Sequence, residues 1–358
     1  MKLYFCWDLN KVQSDSYNIG LKLFKNTELL KKYDIEIVEE IKKCDIIFYF
    51  MNMGWNYYRP ELSYMWTNDL ERWSKDREIR NCQKLLQWDK KLIIYLRGDG
   101  ASVDKNDIDK IAMNNNVLCV LHDFHLNMEK IQNPVKLIKD YHHLSIIKEM
   151  NFTEEEIYNY NVNLNNERNI NVNKKLWEEK FKPYTFLFDN YGWLYKNYER
   201  KVRKKEYDIF YIKNGRPTLD GILRQKIRDK LMVLGYNKCM KRCRTNEYDI
   251  RLAKSKICVS TWGMGECVYD DWKAILNETI LLKIDTSHVI DYYGIYNEEN
   301  GYIIYYKHDL SDLEEKINHI LENYDYYLKR AKEGKRKLLE FTEERHIKDF
   351  KEIIVGQI

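Results

Sequence analysis

A chain of 358 residues has room for two domains of ordinary size, and with 44% hydrophobic and 14% aromatic residues it can bury a core, which excludes global disorder despite 32% charged residues. Lys+Arg exceed Asp+Glu by 60 − 56, a net charge of +4, too mild to mark a nucleic-acid binder on charge alone. No run of about 18 apolar residues occurs, so no transmembrane segment is expected, and the apolar start Leu3-Tyr4-Phe5 meets Asp8 too soon for a signal peptide.

The eight cysteines, at 6, 44, 82, 119, 239, 243, 258 and 267, are scattered. Several lie inside apolar runs, as Cys119 does in Val117-Leu-Cys-Val-Leu121, which is how free, buried cysteine looks. A reduced, cytoplasmic setting is expected. Cys239 and Cys243 lack the second pair or nearby His that a zinc site needs, so no metal site is expected there.

In chain order, Lys2 to Trp7 reads as a first strand, and residues 18–33 carry Ile19, Leu21, Leu23, Phe24, Leu29 and Leu30 at roughly helical spacing. Ile35 to Val38 and Asp45 to Phe50 are strand-like, and the polar, Trp-dotted stretch 61–88 is expected to be helical. Lys91 to Leu96 is a buried strand running into Arg97-Gly-Asp-Gly100, and Val117 to Leu121 is another, running into His122-Asp123. The region 140–205 has weaker patterning. Asn151 to Asn173 reads as a connector with some helix, and the charge run Lys196 to Glu206 as a solvated helix face. Within this region Tyr184 to Tyr195 is aromatic, suited to packing between domains or to stacking on a sugar or base.

From 207 the alternation resumes. Tyr207 to Ile212 is a strand followed by Lys213-Asn-Gly-Arg-Pro217, and residues 219–234 form an amphipathic helix. Lys256 to Ser260 is a strand, Thr261-Trp-Gly-Met-Gly-Glu266 a Gly loop, and Tyr269 to Asn277 the helix after it. Thr279 to Ile284 and Gly301 to Tyr306 are strands, and Leu310 to Leu321 is a helix with Ser311 as N-cap and Glu314 completing a capping box. The last 35 residues or so are charged and helical in pattern. The expected fold class is therefore α/β, two Rossmann-like doubly wound domains facing a central cleft. Residues 1–170 would form the N-terminal domain and 171–335 the C-terminal one, with 336–358 a terminal helix.

The segment 254–288 carries the most chemistry. A strand, a Gly-x-Gly turn at Gly263 and Gly265 and a helix N-terminus suit close approach to an anion such as a diphosphate. Glu266 at the turn suits sugar hydroxyls, and Asn214 and Thr261 offer neutral hydrogen bonds to phosphate or base. In the first half, Asp8, Asn52, Asp99 and His122-Asp123 follow strands. Asp99 or His122 would serve as the base if a sugar hydroxyl attacks an anomeric carbon with inversion.

This segment resembles the donor-binding part of nucleotide-sugar glycosyltransferases of the GT-B architecture, with Gly263, Gly265, Glu266, Asp271, Trp272, Ala274 and Lys283 matching the family pattern. The resemblance covers about 100 residues, from 207 to 320. It implies that Glu266 contacts the donor sugar, and that Gly215 and the basic residues Lys213, Arg216 and Arg224 belong to the site that neutralises the diphosphate. It also places Asp270, Asp271 and His288 in the donor cleft and lets the terminal helix cross back to the first domain. The implied activity is metal-independent transfer from a nucleotide-sugar co-substrate, with no further cofactor, to a hydroxyl of a polysaccharide, lipopolysaccharide or protein glycan. The sequence departs from the pattern at Asp270, Lys273 and Glu278, where Arg, Glu and Gly are usual. Lys273 cannot accept hydrogen bonds from ribose hydroxyls, as the usual Glu does. Two alternatives stand beside this: a phage-type transferase of the same fold acting on DNA bases, for which the basic runs 200–205 and 238–244 would track the backbone, and a non-catalytic fold that binds a nucleotide or a partner.

Overall fold

The computed structural model describes residues 1–6, 23–51, 75–96, 106–138, 143–159, 161, 163–184, 204–212, 219–241, 243–263 and 267–357. Strands and helices alternate from the start: β1 (Lys2–Phe5), α1 (Thr27–Lys32), β2 (Glu36–Ile37), β3 (Ile46–Met51), α2 (Lys75–Leu86), β4 (Lys91–Leu96), α3 (Asn106–Ala112) and β5 (Val117–His122). β3 and β5 are buried at every position, the signature of strands covered on both faces. α1 begins where Asn26 accepts a hydrogen bond from the Leu29 amide at 3.1 Å, and the chain turns out of it through Asp34 at φ 53°. The helix expected over 61–88 is present over Lys75–Leu86, and residues 52–74 lie outside the described residues.

The chain then forms β6 (Phe124–Leu126), β7 (Val135–Ile138), β8 (His143–Leu144), α4 (Glu154–Asn159) and β9 (Glu167–Ile170). β7 pairs antiparallel with both β8 and β9, so the stretch read as a connector contains a strand. Glu-Arg-Asn-Ile has little apolar alternation, and its pairing rests on tertiary context. Next come α5 (Lys174–Lys180) and β10 (Phe181–Pro183), which joins the edge of the first sheet beside β5. That sheet has the order β10-β5-β4-β3-β1-β2 with every pair parallel. The chain thus belongs to the first sheet through Pro183, beyond the boundary placed at 170.

The second half runs β11 (Tyr207–Phe210), α6 (Leu219–Val233), β12 (Lys238–Cys239), α7 (Thr245–Ala253), β13 (Ser255–Ser260), α8 (Tyr269–Leu276), β14 (Ile280–Ile284), β15 (Val289–Asp291) and β16 (Ile303–Tyr306). It ends in α9 (Leu313–Glu322), α10 (Tyr324–Leu339) and α11 (Glu343–Val355). Its parallel sheet has the order β12-β11-β13-β14-β16. α9 starts later than expected. Leu310 has φ 61°, outside the helical region, and the helix begins after Asp312, whose carboxylate accepts from the Lys307 amide at 2.8 Å.

Two features tie the halves together. β15 pairs antiparallel with β6, joining the chain beyond β14 to the chain beyond β5. α11 packs against the first half, with the Phe350 ring 5.2 Å from Phe24 and 5.9 Å from Phe48, and Tyr184 Oη donating to the His346 carbonyl at 2.8 Å. Among the described residues no helix is long and apolar enough to cross a membrane.

Candidate active site

Both sheets reverse strand order between their first and third strands: β1 and β3 in one, β11 and β13 in the other. In open α/β sheets ligands bind outside the carboxyl ends of the strands at such a switch point, where the two outgoing loops diverge and leave a crevice. β11 pairs with β13 in the register Phe210 to Cys258, so the chain leaves two neighbouring strands, after Phe210 in one and two residues further along after Ser260 in the other. These neighbouring strands lead into 213–216 and 261–266, the segments that the sequence marks for the donor. Lys213, Asn214, Gly215, Arg216, Gly265, Glu266 and Asp99 lie outside the described residues, as do Asp8 and Asn52.

Behind the Gly turn lies a buried polar network. Lys283 in β14 and Asp271 in α8 are both fully buried, with Lys283 Nζ 2.8 Å from Asp271 Oδ2. The ammonium also donates to the Thr261 carbonyl at 3.4 Å and sits 5.7 Å from the centre of the Tyr296 ring. Asp271 accepts from Ser260 Oγ, from Tyr296 Oη and from the Val268 amide, the last at 3.2 Å. Tyr306 Oη donates to the Ser260 carbonyl at 2.7 Å. A carboxyl group taken away from water needs hydrogen-bond partners of this kind. The network locks the end of β13, the first turn of α8 and β14 into one rigid support. Asp271 therefore acts inside the fold and has no exposed surface for a ligand.

Thr261, Trp262 and Gly263 are buried at the end of β13. The Trp262 ring meets His288 at 6.0 Å and His308 at 5.6 Å, both edge-on. His288 is nearly buried, and its carbonyl accepts from the Asn127 amide at 2.7 Å, so it stands where the chain crosses to the first half. His308 lies just past β16 with Nδ1 3.4 Å from Glu149 Oε2. Burial pushes the His308 pKa down, against Asp285 and Glu149, which push it up. Sequence reasoning missed Trp262, Tyr296, Glu149 and His308. The signal for His308 was its place two residues beyond a strand end.

The departures from the family pattern face another way. Lys273 Nζ lies 3.2 Å from Asp249 Oδ1 and 5.1 Å from the Tyr248 ring centre, so it points to α7. Asp270 hydrogen-bonds to Tyr248 on the same helix. Arg224 is buried and paired with Asp220 at 3.2 Å, one turn before it on α6. His122 ends β5 with no exposure, and its carbonyl accepts from the Tyr184 amide at 2.9 Å. Beside it, Asp123 accepts from Tyr95 Oη. A base must reach the proton it removes, and His122 presents no open surface to an acceptor.

No family model and no curated protein matches the sequence. Among solved structures, Anabaena HepE in complex with UDP aligns over 99% of this chain and 99% of its own at 8% identity and a TM-score of 0.46. The same protein with UDP-glucose gives 8% identity and 0.40, over 100% of this chain and 99% of its own. An alpha-glucosyltransferase in complex with UDP and a 13-mer DNA containing a central A:G mismatch gives 11% and 0.37, over 99% of both chains.

Proposed function

We propose that this protein is a glycosyltransferase that moves a sugar from a nucleotide-diphosphate donor to a hydroxyl acceptor. One observation carries the reading. The two loops that the sequence marks for a donor leave adjacent strands at the switch point of the second sheet. The resemblance over 207–320 is what marks the loop 213–216 for the donor, and the Gly turn at 263–265 marks the other.

In this reading Lys213, Arg216 and the N-terminal ends of the helices that follow neutralise the diphosphate, whose charge grows as the sugar departs. No metal is required for that. Glu266 accepts hydrogen bonds from donor-sugar hydroxyls, and Thr261 and Asn214 supply neutral contacts. Asp271 and Lys283 act as positioning residues that fix the loop between β13 and α8. If the transfer inverts, this reading makes Asp99 the base. The acceptor is a glycan hydroxyl on a polysaccharide, a lipopolysaccharide or a protein.

The test is release of free nucleotide and transfer of labelled sugar from UDP-, GDP-, CMP- and dTDP-sugars, with glycans and duplex DNA as acceptors. Glu266→Ala is expected to lower turnover by on the order of a hundredfold or more, the scale of a lost transition-state contact. Turnover with duplex DNA alone would move the acceptor assignment to DNA bases. No turnover with any donor, alongside retained nucleotide binding and an inert Glu266→Ala, would show a non-catalytic binding fold.

A further inference from the structure

β12 is the edge strand of the second sheet, and beside it α7 leaves a depression of about 390 Å³. Its lining includes Lys238 and Lys241 at the strand and Arg251 and Lys254 on and just after the helix, against one carboxylate, Glu247. Four cations around this lining anion and the flanking Glu206 leave a local excess of +2. The flanking Glu206 pairs with Lys254 at 2.8 Å and offsets one of them.

The cations are held in place. Arg251 donates to the Lys241 carbonyl at 3.3 Å and to Glu247 at 3.0 Å, and it also hydrogen-bonds to Cys239. Lys238 donates to the Leu234 carbonyl and, at 3.3 Å, to the Met232 carbonyl. Arg251 and Lys254 are three residues apart, which puts them on one side of the helix end. Lys241 is exposed at the rim, and so is Arg244 nearby. Among the described residues its lining includes none of Thr261, Trp262 and Gly263 at the switch point.

We infer that this basic depression is a second anion site, one that binds clustered phosphates. Arg251 is matched by Glu247 and Lys254 by Glu206, which leaves Lys238, Lys241 and the nearby Arg244 without a carboxylate among the described residues, more than a single inorganic ion would match. Several phosphates in series match them, and a nucleic-acid backbone or a small polyphosphate supplies such a series. The modest net charge of the chain conceals the site, because the excess is local.

The experiment uses the full-length protein with a fluorescein-labelled DNA duplex and, as a second probe, inorganic triphosphate, each titrated at salt concentrations from about 50 to 200 mM. Binding is expected to weaken steeply with salt. Lys241→Gln is expected to weaken it severalfold and to reduce the logarithmic salt slope for DNA by about one. Lys241 is exposed, so this variant tests charge without disturbing the core. Lys337→Gln, which removes an exposed charge on α10, is the control and is expected to leave binding unchanged. Salt-sensitive binding of either probe that Lys241→Gln alone weakens supports the site. Which probe binds identifies whether a backbone or a free polyphosphate is the source. Absence of binding by both probes at about 50 mM salt, or equal losses in the two variants, overturns it.

Discussion

Asp271 and Lys283 show how a residue can be recognised by pattern and yet act in another way. Both match the donor-site pattern, and the structure puts them 2.8 Å apart with no exposure. Removing one partner strands the other charge in the core, so Lys283→Met is expected to destabilise the fold by about 3–5 kcal/mol, measured by urea unfolding. The double variant Asp271→Asn/Lys283→Met should recover part of that loss. If Lys283→Met unfolds at the wild-type midpoint, the pair is not a keystone of the support. Histidines give a second expectation. Burial lowers His125 and His346 from 6.5 to about 4. Their unfolded forms bind protons first, so the stability they contribute is present above about pH 6.5 and is lost as pH falls toward 4. Asp291, raised from 3.8 to about 6, works in the opposite direction, binding its proton first in the fold. Two histidines against one carboxylate predict a lower urea midpoint at about pH 5 than at about pH 7, and His346→Gln should narrow that difference.

At the scale of elements, legibility followed the strength of the apolar pattern. Lys91–Leu96 and Val117–His122 are continuous apolar runs and formed strands where the composition placed them. β8 and β12 are two residues each, and β9 has one buried position, so none carries a period long enough to read. α11 was legible as a charged helix, and the resemblance implied its return to the first half; the particular residues it meets, more than three hundred positions earlier, were not legible. Its Phe350 is fully buried beside Phe24, Phe48 and Tyr184. Phe350→Ala is expected to reduce stability by about 3–5 kcal/mol, the range for emptying an aromatic site. Loss of α11 packing should then expose its amides to rapid hydrogen exchange. Unchanged protection would show that the ion pairs Lys32–Glu344 and Lys351–Asp34 hold the helix without the ring.

For the whole molecule, the Gly-x-Gly turn pointed to the Gly263 loop, and strand alternation pointed to two sheets. The sequence did not show which charged groups near that loop would turn inward. Asp271, Lys283 and Arg224 look like surface charges in one dimension, and burial is decided by elements that meet only in the fold. A continuous apolar cluster runs from Leu3 and Phe48 through Tyr184 to Trp272 and Ile275, so it includes residues of both halves. Ile138, Ile147 and Met150, which precede β10, pack in turn with Leu219 and Ile222 of α6. The halves are therefore expected to unfold together. Tryptophan fluorescence and far-ultraviolet circular dichroism should give coincident urea transitions, and two separated transitions would show independent units.

The docking of α11 also bears on how the chain is made. Synthesis delivers Phe24 and Phe48 more than three hundred residues before Phe350, the ring that covers them. The first sheet can form its strands on the ribosome, yet the face that carries Phe24 and Phe48 waits for α11. Contacts at that separation raise the contact order and slow the final step of folding. A nascent chain halted before α11 would present this aromatic surface to chaperones, and emergence of α11 would be the event that closes it.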